Sequence, residues 1–433
     1  MSTTRFHYPQ FLRTARRRIR RFQDKLAKKR FYRGGWRSYV DDLRRTRGDH
    51  PASGRIYVDL TVISDNDAAT GIQRLVRAVS FLMARTAELD GMDLHFVYTH
   101  RDRHFHVDVG ADGYRRTDTP VIYQPGDLFF ALDYALDALW QMRHRLADMR
   151  RMGVRFWYLV HDFLPLTDPQ WFSEPTVIRF YNWLAIIAGT ADGIFCVSPV
   201  VERQLHVIMA TQFGRAEPIP SCVIPMGADI AASRPSRGIP EGFDELLAAM
   251  RARPTILMVG TIEPRKGYQD ALDAMEYLWA DGQDIGLVLV GGTGWKMEAF
   301  DARLATHAEK GRRLHQPGKI SDEALERVYA ACTAVLFPSY AEGFGLPMAE
   351  ALRFGKPVLA RDLPVFEGRG NAVRFFDAQA DTPTLACAIR SWLMDVAAGG
   401  NQVPASPAQP LYGWQDTADA ILSRLSRQDG AVR

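Results

Sequence analysis

Two runs of strand–helix alternation, separated by a polar, proline-containing stretch, predict an α/β protein of two doubly wound domains facing a central cleft. Three observations carry this. The chain has 433 residues, enough for two domains with substantial cores. Segments such as Arg155-Phe-Trp-Tyr-Leu-Val160 and Thr255-Ile-Leu-Met-Val259 are near-continuously apolar, the pattern of parallel strands buried on both faces. Helical patterns lie between most of them, as a parallel sheet covered on both sides requires.

Residues 1–50 read as a basic arm. They hold 16 Lys and Arg against 4 Asp and Glu, while the remainder carries 38 and 46. Leu12, Ala15, Ile19, Phe22 and Leu26 recur at intervals of 3 and 4, one stripe of a helix. Arg16, Arg17, Arg18, Arg20, Arg21, Lys25, Lys28, Lys29 and Arg30 fill much of the remaining circumference. Such a helix suits an anionic membrane surface, each basic residue adding about 1 kcal/mol. A solvated tail is the alternative. Nucleic acid is a poorer partner, because no recognisable nucleic-acid fold follows the arm.

The N-terminal domain spans 51–229. Arg55-Ile-Tyr-Val-Asp59 is its first strand, and Thr70-Gly-Ile-Gln-Arg74 opens a helix in which Gly71 would let backbone approach a ligand closely. Strands follow at 93–97, 127–131, 155–160, 193–197 and 221–225. His161 and Asp162 stand at the C-terminal end of one of them. An isolated His-Asp pair there can be structural or can face a ligand. Low hydrophobicity with Pro235, Arg237 and Pro240 marks a linker over 230–252. The second alternation, 253–410, ends in the Pro-rich connector Asn401–Pro410, and 411–433 hold a last helix around Trp414 to Leu425.

Composition is that of an ordinary globular chain, 47% apolar and 24% charged. There is no apolar run long enough for a transmembrane helix and no secretory signal pattern at the N-terminus. Cys196, Cys222, Cys332 and Cys387 form no Cys-x-x-Cys pair, so they read as small hydrophobes in a reducing compartment rather than a zinc site or a disulfide framework.

The chemistry concentrates in two turns of the second domain. Thr255–Gly260 is a strand, followed by a turn with Arg265 and Lys266 side by side and a helix from Tyr268 to about Ala280. Arg binds two phosphate oxygens at once and Lys adds a mobile point charge, so the pair suits a diphosphate. No Gly-Lys-Ser/Thr follows, which excludes a P-loop. The strand Ala334-Val-Leu-Phe-Pro-Ser339 then leads to Glu342-Gly-Phe-Gly-Leu-Pro-Met-Ala-Glu350, where two carboxylates bracket a glycine-rich turn opening a helix. The N–H groups of Gly343, Phe344 and Gly345 beside a helix N-terminus attract phosphate or a polar sugar. Glu350, one turn further in, is acceptor-only and can hold vicinal hydroxyls. A strand–turn–helix with flanking glutamates also occurs for purely structural reasons.

Together these segments resemble the retaining GT-B glycosyltransferases often called family 4, whose C-terminal domain carries Glu-x7-Glu, here Glu342 and Glu350. The family's "G-x-x-x-x-R-K-G" turn matches Gly260 through Gly267. Gly291-Gly-Thr-Gly-Trp295, Gly318-Lys-Ile-Ser-Asp-Glu323 and Arg361-Asp-Leu-Pro-Val-Phe-Glu367 are also family-like, although Phe366 stands where relatives often have Arg. The resemblance covers roughly residues 55–425. It implies a GT-B fold of two Rossmann-like domains with the C-terminal helix returning to the N-terminal one.

It also implies transfer of a hexose from a nucleotide-sugar donor with retention, GDP-mannose preferred, to a glycan or lipid-linked saccharide in surface polysaccharide assembly. Arg265, Lys266, Glu342, His161 and Asp162 are the implied catalytic set, and Gly71, Gly260, Gly343, Phe344, Gly345, Leu346 and Glu350 the donor-binding set. No Asp-x-Asp stands where a metal-dependent donor site would need it, so no metal and no further cofactor are expected. The expected location is the cytoplasm, at the inner membrane face, with residues 1–48 as the anchor. A GT-B epimerase and a noncatalytic membrane scaffold are the competing readings.

Overall fold

A computed structural model describes residues 10–45, 48–67, 70–369, 373–400 and 410–427. Its first sheet has eight strands, β1 (Ile56–Asp59), β2 (Leu94–His100), β3 (Arg103–Gly110), β4 (Gly113–Pro120), β5 (Leu128–Ala131), β6 (Arg155–Val160), β7 (Gly193–Cys196) and β8 (Ser221–Val223), in the order 4-3-2-1-5-6-7-8. The second has six, β9 (Thr255–Val259), β10 (Gly286–Val290), β11 (Leu314–Gly318), β12 (Ala334–Phe337), β13 (Val358–Arg361) and β14 (Val373–Phe376), in the order 11-10-9-12-13-14. Both sheets reverse strand order once, between β1 and β5 and between β9 and β12. In open parallel sheets ligands collect beyond the strand C-termini at such switch points.

Every pairing is parallel except β2–β3 and β3–β4. That antiparallel edge is absent from the sequence reading. β4 is Gly-Tyr-Arg-Arg-Thr-Asp-Thr-Pro, polar almost throughout, because an edge strand with solvent on one face needs little apolar signal. β11 and β14 are likewise short strands at the outer side of the second sheet.

The first 50 residues are not a separate arm over their whole length. Helices run over Gln10–Arg30 and Trp36–Arg45, with a kink at Gly34. Phe31, Trp36 and Val40 join the core of the first sheet, and Leu43 is buried against Gly189, where an added Cβ would sit 2.9 Å from the Leu43 side chain. Trp36, Val40 and Leu43 are spaced 4 and 3, an apolar stripe that the surrounding arginines mask in composition. Upstream, Lys28 pairs with Asp137 at 2.9 Å and Trp140 Nε1 donates to Asp24 at 2.8 Å. Arg18, Arg20, Arg21, Phe22, Lys25 and Leu26 are exposed. Residues 1–9, and the side chains of Leu12, Ala15, Arg16, Arg17 and Ile19, lie outside the described residues.

The stretch expected as a linker, 230–252, contains the helix Phe243–Arg251. Phe243, Leu246, Leu247 and Met250 recur on one helical face and pack with β9, β10 and β12 in the second core, so these residues belong to the C-terminal domain. Most of the connector 401–410 lies outside the described residues, as do 428–433. The helix Trp414–Ser426 packs Trp414, Ala418, Ile421, Leu422 and Leu425 into the first domain's core. Thr417 fixes the crossing, donating to Pro225 O at 2.7 Å and accepting from Gly227 N at 3.0 Å. Among the described residues, no helix is long and apolar enough to cross a membrane.

Candidate active site

Three strand ends converge on the cleft between the sheets. β6 delivers His161 and Asp162. β9 leads through Gly260 to the single turn Pro264–Lys266. β12 leads to Glu342 and the helix Leu346–Arg353, with Pro347 in its first turn and Gly345 at its N-cap, held left-handed at φ 83°. A cavity of about 610 Å³ is lined by His161, Asp162, Gly260, Arg265, Lys266 and Glu342, and also by Gly71, Gly343, Phe344, Gly345 and Leu346. Residues as distant in sequence as Gly71 and Leu346 thus share one space, and Glu350 alone of the expected site residues does not line it.

The two cations are held by two carboxylates. Lys266 Nζ lies 2.5 Å from Glu342 Oε1, Arg265 Nη1 lies 3.3 Å from Glu342 Oε2, and Arg265 Nη2 lies 2.6 Å from Glu263 Oε1. Burial pushes Glu342 upward, but Lys266 and Arg265 outweigh it and hold the carboxyl below its usual range. Burial pushes Lys266 down, with Glu342 only partly opposing. Glu263 escaped the sequence reading. Its only signal was position, two residues ahead of Arg265 in the same turn.

His161 and Asp162 form the facing wall. Burial lowers His161 to about 4, so the ring is neutral near pH 7. Among the described residues its Nε2 has no hydrogen-bond partner, a buried polar atom left for a ligand to satisfy. Burial raises the Asp162 pKa, with Arg265 opposing, and its Oδ1 accepts from Leu164 N at 3.1 Å. Gly343 passes so close to this wall that a Cβ there would overlap the His161 carbonyl oxygen. Ser198 Oγ donates to Gly343 O at 2.8 Å, a second tie across the cleft. Gly71 sits at the start of the helix Gly71–Asp90, where the Thr70 side chain accepts from Gln73 N, and it faces Leu346 across the cleft.

Glu350 is fully buried and engaged elsewhere. Arg74, from the N-terminal domain, pairs with it, and Tyr329 Oη donates to its Oε2 at 2.9 Å. Arg74 also reaches Asp322 at 2.8 Å, as does Arg77. Burial raises the Glu350 pKa despite Arg74, whereas Arg74 and Arg77 overcome burial at Asp322 and lower its pKa. At the cleft mouth Trp171 stacks on Tyr340 and Phe172 on Trp295, with centroids 5.3 and 5.8 Å apart, and Trp295 Nε1 donates to Trp171 O at 2.7 Å. Neither cross-domain contact had a local sequence signature.

Solved structures share this architecture. A sucrose-phosphate synthase from Thermosynechococcus elongatus aligns with TM-score 0.59 at 20% identity, covering 86% of this chain and 98% of its own. Anabaena Alr3699/HepE, solved with UDP and glucose, aligns with TM-score 0.58 at 17% identity, covering 86% and 99%. The fold is GT-B. Residues 247–369 of this GT-B chain match the family model "Glycosyl transferases group 1", which takes in Arg265, Lys266, Glu342 and Glu350. Over 385 residues it is 32% identical to a serotype-specific mannosyltransferase WbdA of Escherichia coli, covering 86% of this chain and 45% of that protein. An O-antigen chain mannosyltransferase B of the same species is 36% identical over 111 residues, 25% of this chain and 28% of its own. The chain spans about half the length, or less, of these curated relatives.

Proposed function

We propose that the protein is a retaining glycosyltransferase of the family 4 type that moves mannose from GDP-mannose to a glycan or lipid-linked saccharide in surface polysaccharide assembly. The observation that carries this is the convergence of Arg265, Lys266, Glu342, His161 and Asp162 on one cavity. The names of the relatives favour mannose. In this reading the donor diphosphate lies against Arg265, Lys266 and the N–H groups that open the Leu346–Arg353 helix. The bond from the sugar's anomeric carbon to the phosphate oxygen breaks, and a bond to the acceptor oxygen forms on the same face. The acceptor proton passes to the departing phosphate oxygen. Arg265 and Lys266 stabilise the charge growing there, a preorganised electrostatic role. Glu342 and neutral His161 receive sugar hydroxyls, and Asp162 orients the acceptor. No metal is needed in this scheme, and chelation should leave the rate unchanged.

A thermal-shift panel of GDP, UDP, dTDP and their sugar conjugates tests the donor. A ligand at 100 times its dissociation constant stabilises by about 2.7 kcal/mol. A shift with GDP-mannose that shrinks in Lys266→Ala, a residue that lines the cavity, supports the reading. A shift with UDP conjugates alone would replace the donor, and no shift with any would remove it.

The exposed cations of the Gln10–Arg30 helix, with Phe22 and Leu26 among them, serve in this proposal as a peripheral anchor on an anionic membrane at the cytoplasmic face. Because Phe31 to Leu43 belong to the core, the test is charge reversal at Arg18, Arg20, Arg21 and Lys25 rather than deletion. Sedimentation with anionic vesicles should fall sharply. Unchanged sedimentation would assign the contact to another surface.

A further inference from the structure

A second cavity, of about 490 Å³, adjoins the cleft at Val197, Met226 and Phe344 and reaches the two interdomain crossings, here called the hinge, at Pro225 and Ala228 and at Pro410 and Tyr412. Its walls come from both domains and are mostly apolar, with Val197, Pro199, Ile224 and Met226 on one side and Leu352 and Val365 on the other. Three charged residues break that character, Arg203 and Glu367, which pair with each other, and Arg369. Arg369 lines the cavity, and its guanidinium stacks 4.8 Å from the Phe344 ring centre and 5.8 Å from that of Phe366. Its Nη1 donates to Met348 Sδ at 3.4 Å, a weak acceptor. Among the described residues no carboxylate pairs with it. Glu367, two residues before, pairs instead with Arg203 at 3.8 Å.

An arginine presents five N–H donors in a planar fork that fits carboxylate and phosphate. Burial without a counter-charge lowers the Arg369 pKa to about 10, the direction expected of a cation whose charge is unmatched. The ring faces of Phe344 and Phe366 return part of that cost, and the acceptor that the fork meets is the weak Met348 thioether. Three other arginines at the interdomain contact are matched by carboxylates: Arg265 by Glu263 and Glu342, Arg74 by Glu350 and Asp322, and Arg77 by Asp67 and Asp322. The volume lies within the range of small-molecule sites, which are typically apolar with a few placed polar groups.

We propose that this hinge cavity binds a small anionic amphiphile, a phosphate or carboxylate head on a short hydrocarbon tail, with Arg369 gripping the head and the apolar walls taking the tail. The site adjoins the donor cleft, sharing Val197, Met226 and Phe344 with it, and does not depend on the identity of the donor. The two are mechanically joined. Phe344 lines both cavities, and Ser198, also in the hinge cavity, holds Gly343 O at 2.8 Å. An occupant drawing on Arg369 therefore acts on the loop that carries Glu342, so hinge-site occupancy modulates nucleotide binding in the cleft.

Isothermal titration of the full chain with octyl phosphate tests this, with octanoate as the other head group, octanol as the headless control and inorganic phosphate as the tailless one. Octyl phosphate should bind the wild type at least tenfold more tightly than either control, and Arg369→Met should weaken it at least tenfold. Octanoate tells whether the head is any monoanion or phosphate alone. Val365→Trp, which fills the cavity and keeps Arg369, should also abolish binding. It serves as the second arm should Arg369→Met fold poorly. Circular dichroism and the thermal midpoint without ligand, run on each variant, report an intact fold. Equal binding of octyl phosphate to the wild type and both variants, no binding to a folded wild type, or tail binding indifferent to the head would each overturn the proposal. None of these outcomes touches the donor reading.

Discussion

Glu342 and Glu350 begin from the same local design, a carboxylate beside or within one helix turn, and end in different surroundings. The Glu342 side chain is 7% exposed and its cations, Lys266 and Arg265, belong to its own domain. The Glu350 side chain is 1% exposed and its cation, Arg74, comes from the other domain. The first cluster is assembled whenever the C-terminal domain is folded. The second exists only when the two domains are closed on each other. Attraction from Lys266 and Arg265 wins over burial at Glu342, and burial wins over Arg74 at Glu350. A donor at the first cluster therefore meets a preorganised charge pattern. A ribose at the second has to share or displace an interdomain ion pair.

The largest way to break this comparison is Arg74→Met. It strands Glu350 with only Tyr329 and leaves Asp322 to Arg77 and the Ser236 contacts. Removing one partner of a buried pair costs about 3–5 kcal/mol. The expected outcome is a lower urea midpoint together with a larger radius of gyration by small-angle scattering, as the domains part. A compact, equally stable variant would mean that the closed arrangement does not depend on this pair.

Arg265→Ala probes the other cluster. Loss of one preorganised donor to developing charge lowers turnover by about 10²–10³. Donor affinity should change less, because Lys266 remains. Wild-type turnover would remove Arg265 from the transition state.

The smallest effect, and the sharpest discriminator, is the pH dependence of stability in Glu342→Gln and Glu350→Gln. Glu342 titrates below its ordinary value of 4.5, so its stabilisation is full above that value and is lost as pH falls through the folded-state pKa. Glu350 titrates above 4.5, so its relative contribution is present below that value and is lost as pH rises through the folded-state pKa. The stability gap between wild type and Glu342→Gln should shrink on acidification below 4.5, and the gap to Glu350→Gln should shrink as pH rises above 4.5. Parallel profiles would erase the distinction between the clusters.

Much of the second domain was legible because its signals are local. Thr255–Val259 is apolar throughout, the Arg265-Lys266 turn sits at its end, and Gly345 with Pro347 marks the start of the next helix. The edge strand Gly113–Pro120 was not legible, since its polar sequence resembles a loop until β3 pairs with it. The helix Phe243–Arg251 hid behind Pro235 and Pro240, and the core-forming Trp36, Val40 and Leu43 hid among arginines. In both cases composition averaged over a stretch concealed a three- or four-residue apolar face.

What the sequence by itself determined was the alternation of strands and helices, the two sheets it builds, and the chemistry carried at each strand end in the second domain. These depend on neighbours within one or two turns, where spacing and side-chain type suffice. Tertiary structure alone decided which wall each group faces and which partner it meets. Arg74 and Glu350 are 276 residues apart, and Trp171 meets Tyr340 only across the closed cleft. Among the described residues Arg369 meets no carboxylate because of what folds around it. Pairings of that kind arise from the docking of two domains, and no local periodicity encodes them.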